Sequence, residues 1–407
     1  MSEPGAAGQV TPALAGVRVL DIATFIAAPF AATVMADFGA DVIKIEVPGE
    51  GDPLRRFGTP VDGGDTLVWL SEARNKRYVT LDLRTPEGAA VFLRLVAKAD
   101  VVTENFRPGT LEKWGLGYER LAEVNPKLVL LRVSAYGQTG PFREKPGFAR
   151  VAHGFGGLSH LAGMADGPPV VPGSTSLADY ISGLWGVNGV LMALRVAERT
   201  GFGQVVDIGL YESIFRLLDE LAPAYARFGE VRGRMGADVP HVVPHGHWRT
   251  QDGKWVALAC SSDKIFERLA RLMERPDLVQ PDQYQRGEQR LAGREVINGL
   301  IADWVGALPL DEVLARCDAA GVPCGHIMDI ADIFDHPQYA ARGNLQTVQD
   351  VRAGEVVVPA AMPRLSATPA QLHHLGGALG EHTAQVLGEL LGLGPEELNL
   401  LAGKSVV

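Results

Sequence analysis

The sequence predicts an α/β fold: a large domain with a parallel sheet covered by helices on both faces, and a smaller α+β domain. Three observations carry this. Short apolar runs alternate with amphipathic stretches through the first half of the chain. Cap and turn residues punctuate that alternation, as repeated βαβ units require. Near His241 the texture changes to a hairpin pattern followed by helices. The length, 407 residues, also exceeds the ~100–200 of a usual single domain.

The elements follow in order. Residues 17–21 (VRVLD) read as a buried strand, and 29–38 as a helix closed by Gly39. Residues 41–46 (DVIKIE) and 78–83 read as the next strands. Thr85 and Pro86 open a helix, the hydroxyl as N-cap and the proline in the first turn, where its missing N–H has no partner to lose. Residues 101–103 and 128–133 add two short apolar strands, and a glycine turn at 200–204 feeds another at 205–210. Residues 210–231 read as a helix leading out of this body. Beyond it, residues 246–250, an Asp252-Gly253 turn and 255–259 form a hairpin. The amphipathic stretch after Gly380-Glu381-His382-Thr383 is expected to pack back on the first domain. The boundaries are 1–225 for the N-terminal part of the large domain, 226–330 for the small domain and 331–407 for the C-terminal return.

Composition excludes several classes. Apolar residues make up 46% and charged residues 21%, a globular balance that leaves no room for extensive disorder. The formal charge of −10 repels polyanions, so nucleic acid is not an expected partner. Cys260, Cys317 and Cys324 are odd in number and lack C-x-x-C spacing. They read as small buried hydrophobes in a reducing compartment, not as a metal or disulfide framework. Residues 1–8 have no signal-peptide character, and the most apolar helical stretch, 181–194, is too short to span a bilayer. A cytoplasmic protein without a membrane partner is expected. After the first strand there is no G-x-G-x-x-G, and Phe25 and Pro29 obstruct a dinucleotide pyrophosphate. Walker A, H-E-x-x-H and G-x-S-x-G are also missing.

Four local features carry chemistry. Arg74-Asn75-Lys76-Arg77 before a strand makes a local cation cluster, equally readable as a solvated turn. Glu104-Asn105-Phe106-Arg107-Pro108-Gly109 follows a strand at the sheet edge where α/β folds bind ligands. Alone, it also reads as a plain turn. Asp179 opens an apolar helix within residues 171–183, where the helix dipole favours a carboxylate. A helix-start Asp with no further role has the same pattern. The glycine turn at 200–204 has its simplest reading as a turn.

Together, and in this order, these stretches resemble the family III CoA-transferases, the group of formyl-CoA transferase and carnitine CoA-transferase. The matching segments include LAGVRVLD, FGADVIKIE, RNKRYVTLDLRTPEG, ADVVTENFRPGTLEKWG, SAYGQTGPF, TGFGQVVDIGLYES, GVPCGHI and LGEHTAQVL. They cover nearly the whole chain from Leu14 onward. GDPLRRFGTP, GDTLVWLSEARNKR, KPGFARVAH and PGSTSLADYISGLWG are most similar to members that pair succinyl-CoA with malate or citramalate.

The resemblance implies a large Rossmann-like domain built from both chain ends, a small domain, and two chains threaded as interlocked rings. It implies Asp179 as nucleophile, forming an aspartyl-CoA thioester, with CoA and acyl-CoA as substrates and no metal or other cofactor. It implies that Phe25, Ile26 and Ala27 line the CoA channel, that Arg74, Asn75, Lys76 and Arg77 approach its phosphates, and that Asn105, Phe106 and Lys113 flank the nucleotide and pantetheine. Formyl-CoA transferase has Gln where Ile26 stands and Arg where Lys113 stands. Its glycine-rich run over the intermediate has no counterpart here, where Gly233 and Gly236 are isolated. The acceptor is expected to be a four- or five-carbon dicarboxylate such as malate, citramalate, mesaconate or itaconate. Its second carboxylate needs a cation, for which Arg55, Arg56, His241, His245 and His247 are candidates.

Two rivals remain on this reading. An α-methylacyl-CoA racemase shares the resemblance, but its His-Asp-Ile-Asn-Tyr motif is replaced by Lys145-Pro146-Gly147-Phe148-Ala149-Arg150. A non-catalytic partner subunit is the other, since some relatives work as pairs of similar chains. Asp179 in full motif context argues against it.

Overall fold

The computed structural model describes residues 11–407, so the stretch at 1–8 lies outside the described residues. The chain forms two units. The larger runs to Leu158 and includes Gly173–Phe228 and Arg342–Val407; the smaller is Ser159–Pro172 with Gly229–Ala341.

In the larger unit six parallel strands form one sheet: β1 (Arg18–Asp21), β2 (Asp41–Glu46), β3 (Arg77–Thr80), β4 (Val101–Glu104), β5 (Val129–Ser134) and β6 (Val205–Gly209). Their order is β3-β2-β1-β4-β5-β6. The chain steps outward from β1 to β3, then restarts on the far side of β1 with β4. Strand order therefore reverses between β1 and β4, the crevice where open α/β sheets bind ligands. All six strands come from residues 18–209, and the C-terminal segment joins this unit with helices and a separate hairpin.

Strand side chains alternate between faces, and here both faces are apolar. Leu20, Ile43, Val102 and Leu130 pack on one side against Phe92 and Leu95 of the Pro86–Val96 helix. Val386 and Leu387 of the Thr383–Leu391 helix join the same layer, so the tail does pack back. Val19, Val42, Val101, Val129 and Leu131 pack on the other side against Ala28, Ala31 and Ala32 of the Ala27–Asp37 helix. Thr85 caps its helix as expected, its hydroxyl accepting the Gly88 N–H at 3.0 Å.

The helix that carries Asp179 runs from Leu177 to Thr200, 24 residues, well beyond the apolar stretch read from sequence. By length and composition alone it is long enough to cross a membrane. Its inner face, Ala178, Ser182, Gly183, Gly186, Val190, Ala193 and Ala197, repeats at helical spacing and is buried in this unit. A Cβ on Gly183 would lie 2.8 Å from the Ala27 carbonyl oxygen, so glycine is what lets the two helices approach. The outer face exposes Leu184, Trp185, Leu191, Met192 and Val196. The helix expected over 210–231 is two, Leu210–Phe215 and Leu221–Phe228.

In the smaller unit β7 (His245–Arg249), β8 (Trp255–Ala259) and β9 (Cys324–His326) form an antiparallel sheet. Trp248, Val256, Leu258, Phe266, Ile301 and Val313 fill its core. Cys260 and Cys317 are buried there and Cys324 is half-buried, all three as free thiols.

Candidate active site

The loops after β1 and β4 meet at the strand-order reversal, and Asn105 ties them together. Its Oδ1 accepts the Thr24 N–H at 2.8 Å and its Nδ2 donates to the Thr24 carbonyl at 2.6 Å. Beside this clasp lies a cleft whose empty space, open to solvent, is about 860 Å³. It is lined by residues following β1 (Thr24, Phe25, Ile26, Ala27), β4 (Asn105, Phe106, Arg107, Pro108) and β5 (Ser134, Ala135, Arg143, Lys145, Phe148), and by Asp179. A second cavity of about 460 Å³ shares Thr24 and Phe106 with the first and adds Leu81, Leu83, Arg84 and Trp114. Phe106 and Trp114 meet edge to face there, ring centroids 5.1 Å apart.

Asp179 sits in the first turn of its helix, half-buried. The dipole at a helix N-terminus favours the carboxylate, yet burial outweighs it and pushes the Asp179 carboxyl up to about 7. A carboxyl displaced this way by burial, on the wall of a cleft, makes Asp179 the candidate reactive group of the site.

The remaining expected residues divide clearly. Phe25, Ile26, Ala27, Asn105 and Phe106 line the cavity that holds Asp179. The cation cluster before β3 is turned inward instead. Arg74 grips Asp37 (Nη2 to Oδ2, 2.7 Å), and Asn75 donates to Asp37 and to the Gln371 carbonyl, both at 2.8 Å. Lys76 is buried against Asp21 at 2.9 Å, and Arg77 pairs with Asp41 at 2.7 Å and Glu389 at 2.8 Å. Each cation has an internal carboxylate partner, and none of the four residues lines either cavity. Lys113 is exposed and lies on neither cavity.

Arg55 is buried too. It spans Glu46 and Asp65 (2.7 and 3.0 Å) and stacks 3.8 Å over Trp69, which leaves its fork no free edge. Arg56 is exposed and donates to the Glu50 carbonyl at 2.6 Å. His241 and His245 belong to the smaller unit, where the His245 Nδ1 is buried without a hydrogen-bond partner. The cations that line the Asp179 cavity are Arg107, Arg143 and Lys145. Arg143 lies outside the quoted matching segments, and Lys145 opens the KPGFARVAH match without having been assigned a role. Extending the sheet-edge rule to β5 points to them, since residues 135–148 leave that strand's C-terminal end.

An α/β enzyme with its site at the sheet's switch point is the class this geometry defines. The family model described as CoA-transferase family III matches residues 14–383. The chain is 52% identical to the alpha subunit of succinyl-CoA:L-malate CoA-transferase from Chloroflexus aurantiacus, over 100% of this chain and 95% of that one. It is 54% identical to the beta subunit, over 97% and 98%, and 41% identical to succinyl-CoA:D-citramalate CoA-transferase from the same organism, over 96% and 97%. A solved CAIB/BAIF family protein from Brucella suis superposes with a TM-score of 0.82 at 34% identity, covering 94% of this chain and 100% of that one. This chain belongs to the family III CoA-transferases and is an enzyme of that kind.

Proposed function

We propose that the enzyme transfers CoA from succinyl-CoA to a C4 or C5 dicarboxylate such as malate or citramalate, with Asp179 as nucleophile. The observation that carries this is the Asp179 carboxylate: desolvated, in a helix first turn, on a cavity at the switch point, in a chain so similar to named malate transferases. The Asp179 carboxylate attacks the succinyl thioester carbonyl. The C–S bond breaks, giving a mixed anhydride and CoA thiolate. The thiolate attacks the Asp179 carbonyl, releasing succinate and leaving an aspartyl-CoA thioester. The acceptor carboxylate attacks that carbonyl, CoA thiolate leaves again, and its attack on the acceptor carbonyl of the new anhydride yields the product thioester and frees Asp179. One hard exchange becomes four acyl transfers, with no net proton or electron.

On this reading CoA lies along the two cavities, which share Thr24 and Phe106. Its base lies between Leu83, Arg84, Phe106 and Trp114, its chain passes Thr24 and Phe106, and its thiol reaches Asp179. Arg107, Arg143 and Lys145, which line the larger cavity, are the cations assigned to its phosphates and to the acceptor's second carboxylate. A second copy of the chain covers the apolar outer face of the Leu177–Thr200 helix in an interlocked homodimer. Similarity to both an alpha and a beta subunit is equally consistent with a related second subunit in the partner's place.

The test is incubation with succinyl-CoA alone, then hydroxylamine trapping and peptide mass spectrometry, beside an acceptor panel. A hydroxamate on the Asp179 peptide, formed as hydroxylamine displaces the bound CoA, loss of turnover in Asp179→Ala and preference for malate or citramalate are expected. Substantial turnover by Asp179→Ala would sink the mechanism.

A further inference from the structure

We propose that His153 is a positioning residue for Asp179, clamping the opening turn of the Leu177–Thr200 helix. This rests on the reading of Asp179 as nucleophile.

The first N–H groups of a helix have no intrahelical partner and need a cap. Here the N-cap residue, Ser176, makes no side-chain cap hydrogen bond. Its carbonyl accepts the N–H of Asp179 at 2.9 Å and of Tyr180 at 3.2 Å. The N–H of Ala178 goes elsewhere, to His153 Nε2 at 3.0 Å. His153 lies on another helix, Ala149–Phe155, and is 1% exposed. A tertiary contact thus replaces the local cap, and it falls on the residue immediately before the nucleophile.

The contact also fixes the ring's state. Nε2 accepts only when it carries no proton, so the proton sits on Nδ1. That atom is buried and has no hydrogen-bond partner. Burial, aided by Arg150 on the same helix, disfavours a second proton on the ring. With its lone pair engaged by Ala178, Nε2 is not a base for substrate. An unpartnered buried N–H is costly, and an apolar side chain of similar size would avoid it; what only the imidazole supplies is the acceptor.

The rest of the helix is held independently. One turn on, Ser182 Oγ meets Ser213 Oγ at 2.9 Å, and Gly183 lies against the Ala27 carbonyl. Loss of His153 therefore frees the first turn while leaving the helix docked. A small displacement of a reacting group costs up to about 100-fold in rate.

The experiment compares His153→Leu, His153→Gln and His153→Asn. Gln carries an acceptor at the reach of Nε2; Asn is too short. Each is measured for the single-turnover rate of adduct formation on Asp179, for the succinyl-CoA KM and for thermal melting. His153→Leu is expected to slow adduct formation by about 10- to 100-fold with KM little changed, and Gln to restore most of the rate. An unslowed Leu variant overturns the proposal, as does a Gln variant slowed as much as Leu. Should the Leu protein not fold, Gln outpacing Asn supports the proposal and equal rates overturn it. Absence of any adduct in the wild type would instead overturn the Asp179 reading itself.

Discussion

Phe25 donates its backbone N–H to Asp52 Oδ1 at 3.0 Å while its own φ is held at 60°. A left-handed backbone is unfavourable for a residue with a Cβ and persists where the surroundings enforce it, often at a working site. The enforcement here is a buried chain of charges. Asp52 pairs with Lys44 at 2.8 Å; Lys44 also lies 3.8 Å from Asp21, which pairs with Lys76 at 2.9 Å. Asp52→Ala removes the acceptor and leaves Lys44 short of a counterion, a change that costs about 3–5 kcal/mol in buried pairs. It is expected to lower the urea midpoint strongly and to raise the succinyl-CoA KM. Asp52→Asn keeps an acceptor for Phe25, so its KM should stay near wild type although stability falls. Equal, unchanged KM values in both variants would show that Asp52 does not hold the Phe25 loop.

The pH behaviour of Asp179 follows from its burial. The ordinary carboxyl value of 3.8 is raised to about 7. The nucleophile is the ionised form, so transfer is expected to fall about tenfold per pH unit below that value. Stability runs the other way. A carboxyl raised by folding contributes stability that is fully present below its unfolded pKa and is lost as pH rises through its folded one. Asp179→Ala should therefore melt above wild type near pH ~8 and lose that advantage near pH ~4. A melting difference independent of pH would count against a desolvated Asp179.

Much of this was legible in the chain, for physical reasons. Residues 41–46 and 101–104 are buried on both faces, so their apolar runs stand out. Thr85 and Pro86 announce a helix because capping is local chemistry. Asp179 was visible through its motif. The inward turn of Arg55, Arg74, Lys76 and Arg77 was not, because their partners Glu46, Asp37, Asp21 and Asp41 stand on other elements. A cation reads the same in sequence whether it faces solvent, a ligand or a carboxylate. Arg143 and Lys145, the latter named only as part of a matching segment, were not read as site residues for the converse reason: strand register, not local pattern, brings residues 135–148 to the site.

The outer face of the Leu177–Thr200 helix offers the test of assembly. Trp185 is 40% and Met192 65% exposed, and Leu184, Leu191 and Val196 lie beside them. A contiguous apolar face of this kind is where the proposed second copy would dock. Native mass spectrometry is expected to give a homodimer that persists on dilution, since linked rings part only on unfolding. Trp185→Glu with Met192→Glu should sharply lower the yield of folded dimer. A fully active wild-type monomer at nanomolar concentration would refute the assembly.

The proposed dicarboxylate acceptor carries a second carboxylate that the site has to meet. Burying it unpaired costs several kcal/mol, so a cation must meet it. Arg55 is committed to Glu46 and Asp65, and Arg55→Ala is expected to destabilise the fold without a selective effect on acceptor KM. Of the cations on the Asp179 cavity, Lys145 rests 3.4 Å over the Phe142 ring, whereas Arg143 pairs, among the described residues, with exposed Glu144 at 3.3 Å. Surface pairs of that sort contribute about 0–1 kcal/mol, so Arg143 is cheaply redirected to a ligand. Its planar fork also matches a carboxylate with two parallel hydrogen bonds. Arg143→Ala is therefore expected to raise the malate or citramalate KM about tenfold or more, and to change the KM of a monocarboxylate such as butyrate little. Arg143→Lys should recover part of the loss, since it restores charge without the fork. If Arg143 serves CoA phosphate instead, every acyl-CoA donor will suffer alike whatever the acceptor. Steady-state kinetics with two donors against two acceptors separates these outcomes, and an Arg143→Ala enzyme with unchanged dicarboxylate KM would remove Arg143 from acceptor recognition.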